Sequence, residues 1–245
     1  MIWDCFTYNG EEDLLKIRCE ELSGFDVTHV LVESNYTFTG KWKPLSYKNK
    51  LPYKIEHFVA NHLPNNGDAW ENEKEQRNHI LFALKQLGAS DNDIVIISDA
   101  DEIVRRYTVE HYNPISSLTA IKMDTYRYYF NCLEGKQNWD KARMMNFSYL
   151  KDRTPNEVRN SGFERVLQDS GWHFSYMGGY DKIIEKIESF SHTEFNTEEF
   201  KSKIKYKQEN CQSLFGDDFW QVVQLDNSFP REIVNNIEAY KKHIK

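Results

Sequence analysis

The residues of this 245-residue chain best suited to chemistry are Ser98-Asp99-Ala100-Asp101-Glu102, a run of carboxylates directly after Ile94-Val95-Ile96-Ile97. Carboxylate oxygens are hard ligands, and two of them one residue apart at a strand end can present oxygens to Mg²⁺ or Mn²⁺. Such an ion can bridge the two phosphates of a nucleotide sugar and act as a Lewis acid toward a departing diphosphate. Placement carries more weight than pattern, because open parallel sheets bind ligands at the carboxyl ends of their strands. A plainer reading has Asp99 capping the next turn, with Asp101 and Glu102 as solvated acids at a helix start. The same placement could serve a phosphatase or nuclease, but supporting motifs for those are missing from the sequence.

The elements around this run must hold it in place. Four consecutive apolar β-formers, Ile94 to Ile97, read as a central strand covered by helices on both faces. Ile2 to Thr7 reads as a buried first strand ending at the turn formers Asn9-Gly10. A helix follows, with Glu11, Glu12 and Asp13 in its first turn, Leu15, Cys19 and Leu22 on one face, and Gly24 as its stop. Val27 to Glu33 is a second strand, followed by a polar loop from Ser34 to Trp42. Pro44 to Gly67 reads as loop, and Trp70 to Leu87 as a helix carrying Trp70, Ile80, Leu81, Leu84 and Leu87 on its apolar face. This alternation predicts βαβ units and a largely parallel sheet.

The second half lacks long helices between its strands, so a mixed or antiparallel edge is expected. Leu118 to Met123, Tyr126 to Cys132, Met144 to Leu150 and Trp172 to Met177 read as strands. Gly178-Gly179 reads as a tight turn before a helix from Tyr180 to Ser189 that presents Ile183, Ile184 and Ile187. Thr197 to Gln212 and Pro230 to Ile244 are further helices, the last begun by its proline.

Composition sets outer bounds. With 40% hydrophobic and 14% aromatic residues the chain can bury the core of one α/β domain. A net charge of -7 argues against a partner held by a general basic field, so no nucleic acid is expected. Lys201, Lys203, Lys205 and Lys207 read as a solvated helix face. Cys5, Cys19, Cys132 and Cys211 form no C-x-x-C pair and read as reduced, mostly buried thiols. No signal peptide or membrane-spanning run is visible, and the expectation is a soluble, cytoplasmic protein. The sequons Asn35-Tyr36-Thr37 and Asn146-Phe147-Ser148 carry little meaning without secretion.

Several segments, taken in order, resemble glycosyltransferase family 17 over most of the chain. They are Asp4-Cys5-Phe6, Asp13-Leu14-Leu15-Lys16-Ile17-Arg18, Val32-Glu33-Ser34-Asn35 with Thr37-Phe38-Thr39-Gly40-Lys41, Glu75-Gln76-Arg77, Ile97 to Ile103, and Gly171-Trp172-His173-Phe174-Ser175. The resemblance implies a GT-A type nucleotide-diphospho-sugar transferase fold, α/β with a mixed, mainly parallel central sheet flanked by helices. It implies one domain over 1–245: a nucleotide-sugar-binding half (1–105), an acceptor half (106–212) and a C-terminal helical segment (213–245). It further implies a UDP-sugar donor, namely UDP-GlcNAc, a divalent metal, and inverting transfer to a glycan acceptor with a β linkage. The membrane anchor of Golgi members is missing, so a bacterial or virus-encoded enzyme acting on its own glycans fits as well as one acting on N-glycans.

Under that resemblance Asp99 and Asp101 hold the metal, and Asp99 also meets the donor. Inverting transfer needs a carboxylate to take the acceptor proton. Asp181 is the first candidate, since Gly178-Gly179-Tyr180-Asp181 puts an acid at a helix start and resembles the Gly-Gly-Glu-Asp segment of β-1,4-galactosyltransferases. Its plain reading is an acid favoured by the helix dipole. Glu194 is the second candidate. GT-A enzymes often draw a late histidine to the ion, which suggests His192 as a metal ligand and leaves His173 to contact donor or acceptor. Phe6 could lie beside uracil, Glu33 could accept from uracil or ribose, and Arg77 could meet phosphate; their plain readings are core aromatic, strand-end acid and salt-bridged helix arginine. Trp42, Tyr128, Tyr129 and Trp139 could stack on acceptor sugars. The competing function is a catalytically silent GT-A domain that binds a glycan or partner. A nucleotidyltransferase would ordinarily show a glycine-rich phosphate loop, for which Asn9-Gly10 is a poor substitute.

Overall fold

The computed structural model describes residues 1–48, 50–114 and 117–245. Its first half alternates strands and helices: β1 (Ile2–Thr7), α1 (Glu12–Glu21), β2 (Val27–Glu33), β3 (Ile55–Val59), α2 (Ala69–Gln86) and β4 (Ile94–Asp99). β1 lies between β2 and β4, parallel to both, and β3 adds in parallel on the outside of β2. β1 is buried on both faces because both are covered. Trp3 and Cys5 pack with Ile80, Ala83 and Leu84 of α2, while Phe6 packs with Leu15 and Cys19 of α1.

The second half comprises β5 (Glu102–Val104), α3 (Arg106–Glu110), β6 (Thr119–Arg127), β7 (Cys132–Trp139), β8 (Arg143–Asn146), α4 (Phe147–Leu150), α5 (Pro155–Asn160), β9 (Arg165–Ser175), α6 (Tyr180–Ser189), α7 (Glu198–Glu209), β10 (Gln221–Val222) and α8 (Arg231–Asn235). Here antiparallel pairing takes over: β8 pairs with β4 and β6, β7 with β6 and β10, and β5 with β9. Among the described residues of this half, only β6 and β9 run parallel. The expected mixed central sheet flanked by helices is found, parallel from β3 through β2 and β1 to β4 and largely antiparallel beyond.

Several boundaries differ from expectation for local reasons. β3 lies inside the stretch read as loop, where it is a half-buried edge strand. Leu118 to Met123 and the start of Tyr126 to Cys132 form one strand, β6, which ends before Tyr128, a residue with φ of 65°. Met144 to Leu150 is a strand only to Asn146, after which α4 begins. Pro230 to Ile244 is not one helix. Asn236 leaves helical geometry, its side-chain amide donates back to the Glu232 carbonyl and carboxylate, and a 3₁₀ segment, Ile237–His243, follows.

Three glycines shape the region near Asp101. At Gly171 on β9 a Cβ would come within 2.6 Å of the Ile103 carbonyl, so only glycine lets β9 close on β5. Gly178 and Gly179, with φ of 96° and 84°, form the turn from which α6 starts. All four cysteines are buried free thiols, as expected. Among the described residues no helix is long and apolar enough to cross a membrane.

Candidate active site

β4 ends at Asp99, the chain turns through Ala100 and Asp101, and it re-enters the sheet as β5, with Glu102 opposite His173 of β9. The Asp99 N–H donates to Glu102 Oε2 at 2.9 Å, and the Phe174 N–H donates to the Asp101 carbonyl at 2.8 Å. Beneath this turn lies Arg18, a buried residue of α1. Its guanidinium donates to the carbonyls of Glu102 (2.8 Å) and Asp99 (3.1 Å), to Ser98 Oγ (2.6 Å) and to both carboxylate oxygens of Asp4. It also stacks over Phe6 at 4.3 Å. Burial opposes the charge of Asp4, but Arg18 and His29, whose Nδ1 is 2.8 Å away, hold that carboxyl far below the usual range. The turn is thus pinned to the core by an ion pair that water does not reach.

The side chains of the turn are fixed from above. Arg77 of α2 reaches Asp99 Oδ1 at 3.2 Å while also holding Glu73 (2.8 Å) and Asn156 (2.9 Å). Arg159 of α5 reaches Asp99 Oδ2 at 2.7 Å and both oxygens of Glu102 at 2.6 and 2.7 Å. Trp139 Nε1 donates to the same Glu102 carboxylate at 2.6 Å. Burial raises the Asp99 pKa, yet Arg159 and Arg77 bring it below the ordinary value. Asp101 is held differently. Its Oδ2 takes the Lys186 ammonium at 2.9 Å and faces His173 Nε2 at 3.8 Å, and despite burial the Lys186 charge, with His173 beside it, keeps it well below the usual carboxylate range.

A cleft of about 920 Å³ opens over the turn. Arg77, Asp99, Asp101, His173, His192 and Trp139 line it, so the structure brings most of the expected donor-side residues together. The His173 ring stacks on Trp139 at 4.1 Å, and its Nδ1 is buried without a hydrogen-bond partner. His192 stands on the exposed rim, with Nδ1 2.9 Å from Glu194 and its ring edge-on to Trp70 at 4.6 Å. Glu194, in a 3₁₀ turn, and Asp181, in the first turn of α6, are exposed and do not line the cleft.

Phe6 and Glu33 are also away from the cleft wall. Phe6 is fully buried beneath Arg18. Glu33 is buried and anchors the following loop, accepting the N–H groups of Ser46 (2.5 Å) and Tyr47 (3.2 Å) and facing His57 (3.3 Å) and Lys43 (3.4 Å). Burial raises its pKa, but these partners bring it down to about 2. Of the aromatics proposed for sugar stacking, Trp139 lines the cleft; Tyr128 is buried in the core, and Trp42 is exposed elsewhere.

Four cleft or under-cleft residues had no role assigned from sequence: Arg18, Arg159, Lys186 and Glu11. Arg159 sits on a helix announced by the capping box Thr154-Pro155-Asn156-Glu157, a signal that could have found the helix but not its target. Glu11 lines the cleft. Burial raises its pKa, and its carboxylate accepts the Asn9 N–H at 2.7 Å rather than an ion pair.

Asp101 decides how far the turn fits a divalent ion. Among the described residues no three His, Cys, Asp or Glu side chains gather to form a closed cage. Mg²⁺-type sites, however, commonly use one or two carboxylates and complete their shell with water and substrate phosphate oxygens. Asp101, ionised and lining the cleft, suits that role, with His173 nearby; both oxygens of Asp99 are taken by arginines.

Residues 1–245 match the family model described as Glycosyltransferase family 17. The chain is 26% identical to the human and rat proteins named beta-1,4-mannosyl-glycoprotein 4-beta-N-acetylglucosaminyltransferase, over 76% of this chain and 42% of each relative. It therefore spans less than half the length of those relatives. Among solved structures it is similar to the galactosyltransferase LgtC in complex with donor and acceptor sugar analogues, at 12% identity and a TM-score of 0.33, covering 63% of this chain and 61% of that one. It is also similar to HddC from Yersinia pseudotuberculosis, at 10% identity and a TM-score of 0.32, covering 72% and 89%.

Proposed function

We propose that this chain, which belongs to glycosyltransferase family 17, moves a sugar from a UDP-sugar to a glycan acceptor with inversion at the anomeric carbon. The observation that carries this reading is the convergence of Asp99, Asp101, Arg77, Arg159 and Lys186 on one cleft at the carboxyl end of β4. Ligands of parallel sheets bind there, and a diphosphate needs such a concentration of fixed cations around it. Arg77 and Arg159 are planar donors held by Asp99 at the cleft wall, and a phosphate oxygen would take over a donor that now faces that carboxylate. Asp101 would hold a Mn²⁺ or Mg²⁺ ion; when bound, that ion supplies Lewis-acid stabilisation to the leaving diphosphate. The relatives' name makes UDP-GlcNAc the first donor to test.

In the transfer step an acceptor hydroxyl attacks the anomeric carbon, the bond to the diphosphate oxygen breaks, and a carboxylate takes the hydroxyl proton. Glu11 suits the last role best. It lines the cleft, stands in no ion pair among the described residues, and burial raises its pKa, which makes it a stronger base than an ordinary carboxylate. Asp181 and Glu194 are the alternatives, and either would need α6 or the following turn to move over the cleft. Glu11→Gln should keep UDP affinity and lose transfer. Near-normal turnover in that variant, with loss in Asp181→Asn, would move the role to α6.

The reading is tested by a UDP-sugar panel followed by thermal shift with and without Mn²⁺. Ligand that binds only the native state raises the melting temperature according to its affinity, so the true donor should stand out and depend on metal. A second reading, a silent domain that binds glycan or partner, is favoured by the arginines and lysine already seated on both aspartates. It predicts no response to any nucleotide sugar.

A further inference from the structure

Lys186 lies on the cleft-facing side of α6, in its last turn, and its ammonium sits 2.9 Å from Asp101 Oδ2. That oxygen is the one turned toward His173 Nε2, and Asp101 is the one cleft aspartate without an arginine on it. The ammonium therefore occupies the Asp101 oxygen that a cation reached by both Asp101 and His173 would use. Its stem passes beside Tyr176, with Nζ 5.1 Å from the ring centre, and its side chain is partly exposed. It can leave Asp101 without breaking the core.

From this geometry we infer that Lys186 is the resident counter-ion of Asp101 and competes with a divalent cation for it. The inference rests on the proposed metal-assisted reading of the cleft. An ion on Asp101 Oδ2 would lie against the ammonium, and two cations that close repel strongly, so an ion can settle on the oxygen that faces His173 only as the ammonium withdraws. A withdrawn ammonium is a costly unpaired charge inside the cleft unless an anion receives it, and a diphosphate is such an anion. Metal and nucleotide should consequently bind cooperatively in the wild-type protein, with Lys186 as the coupling element.

Mn²⁺ binding measured by electron paramagnetic resonance, without nucleotide, reads this out independently of activity. Lys186→Met should tighten Mn²⁺ binding at least about fivefold, Lys186→Arg should leave it weak, and UDP should strengthen Mn²⁺ binding much less in the Met variant than in the wild type. Equal Mn²⁺ affinity in folded wild-type and Lys186→Met protein, both lost in Asp101→Asn, would overturn the inference while leaving the metal reading intact. Mn²⁺ binding unaffected by Asp101→Asn would instead remove the metal reading itself.

Discussion

On the floor of the cleft, Asp99 and Glu102 have their neighbours fixed on every side: Arg18 under the backbone, Arg159 and Arg77 on the carboxylates, all three guanidiniums nearly inaccessible. On the rim, α6 starts from a glycine with φ of 84°, Asp181 points into solvent, and His192 and Glu194 pair with each other in the open. The floor is preorganised by buried charge, whereas the rim is held by exposed contacts that contribute little. A fixed floor suits a reaction part that never varies, the diphosphate. An adaptable rim suits an acceptor that must enter, be gripped and leave.

The contrast is open to direct attack, beginning where it should cost most. Arg18→Met leaves Asp4 charged and buried, and urea unfolding should show a loss of about 3–5 kcal/mol. A loss under about 1 kcal/mol would mean that the floor is not held by this pair. Next comes acid. Glu33 has a folded pKa near 2 against an ordinary 4.5, so its contribution is complete above pH 4.5 and lost as pH falls toward 2. About 3 kcal/mol should disappear over that window, and Glu33→Gln should remove most of this dependence. Arg159→Lys keeps a charge but cannot span Asp99 and Glu102 together. UDP affinity should fall about tenfold, with a stability loss of about 1–2 kcal/mol. The smallest effect belongs to the rim: His192→Ala should change stability by less than about 0.5 kcal/mol and Mn²⁺ affinity by less than about twofold. A large loss of Mn²⁺ affinity there would restore His192 as a ligand and erase the distinction between floor and rim.

The first half of the fold was legible because its signals are local and repeated. β1, α1, β2, α2 and β4 are each marked by an apolar run or a helical face, and each lies close to its expected bounds. β3 was not legible, since Ile55–Val59 is a short, half-buried edge strand amid prolines and lysines. β7, Cys132–Trp139, carries Glu134, Gly135, Lys136, Gln137 and Asn138, and pairing to β6 rather than composition makes it a strand. The site divides in the same way. Asp99 and Asp101 could be read because the motif and its strand are adjacent in sequence. Arg159 is 57 residues from Glu102 and Arg18 is 81 from Asp99, so only the folded sheet brings them together. Lys186 looked like one helix lysine among many until the Gly178-Gly179 turn aimed α6 at Asp101.

On the proposed reading, the cleft floor at Asp101 receives the donor diphosphate together with a divalent ion. Calorimetric titration of UDP into wild-type and Asp101→Asn protein, with Mn²⁺ and with chelator, tests it most directly. Wild-type binding should weaken at least about tenfold without Mn²⁺, and the weak binding of Asp101→Asn protein should ignore the metal. Equal, Mn²⁺-dependent affinity in both proteins would contradict it.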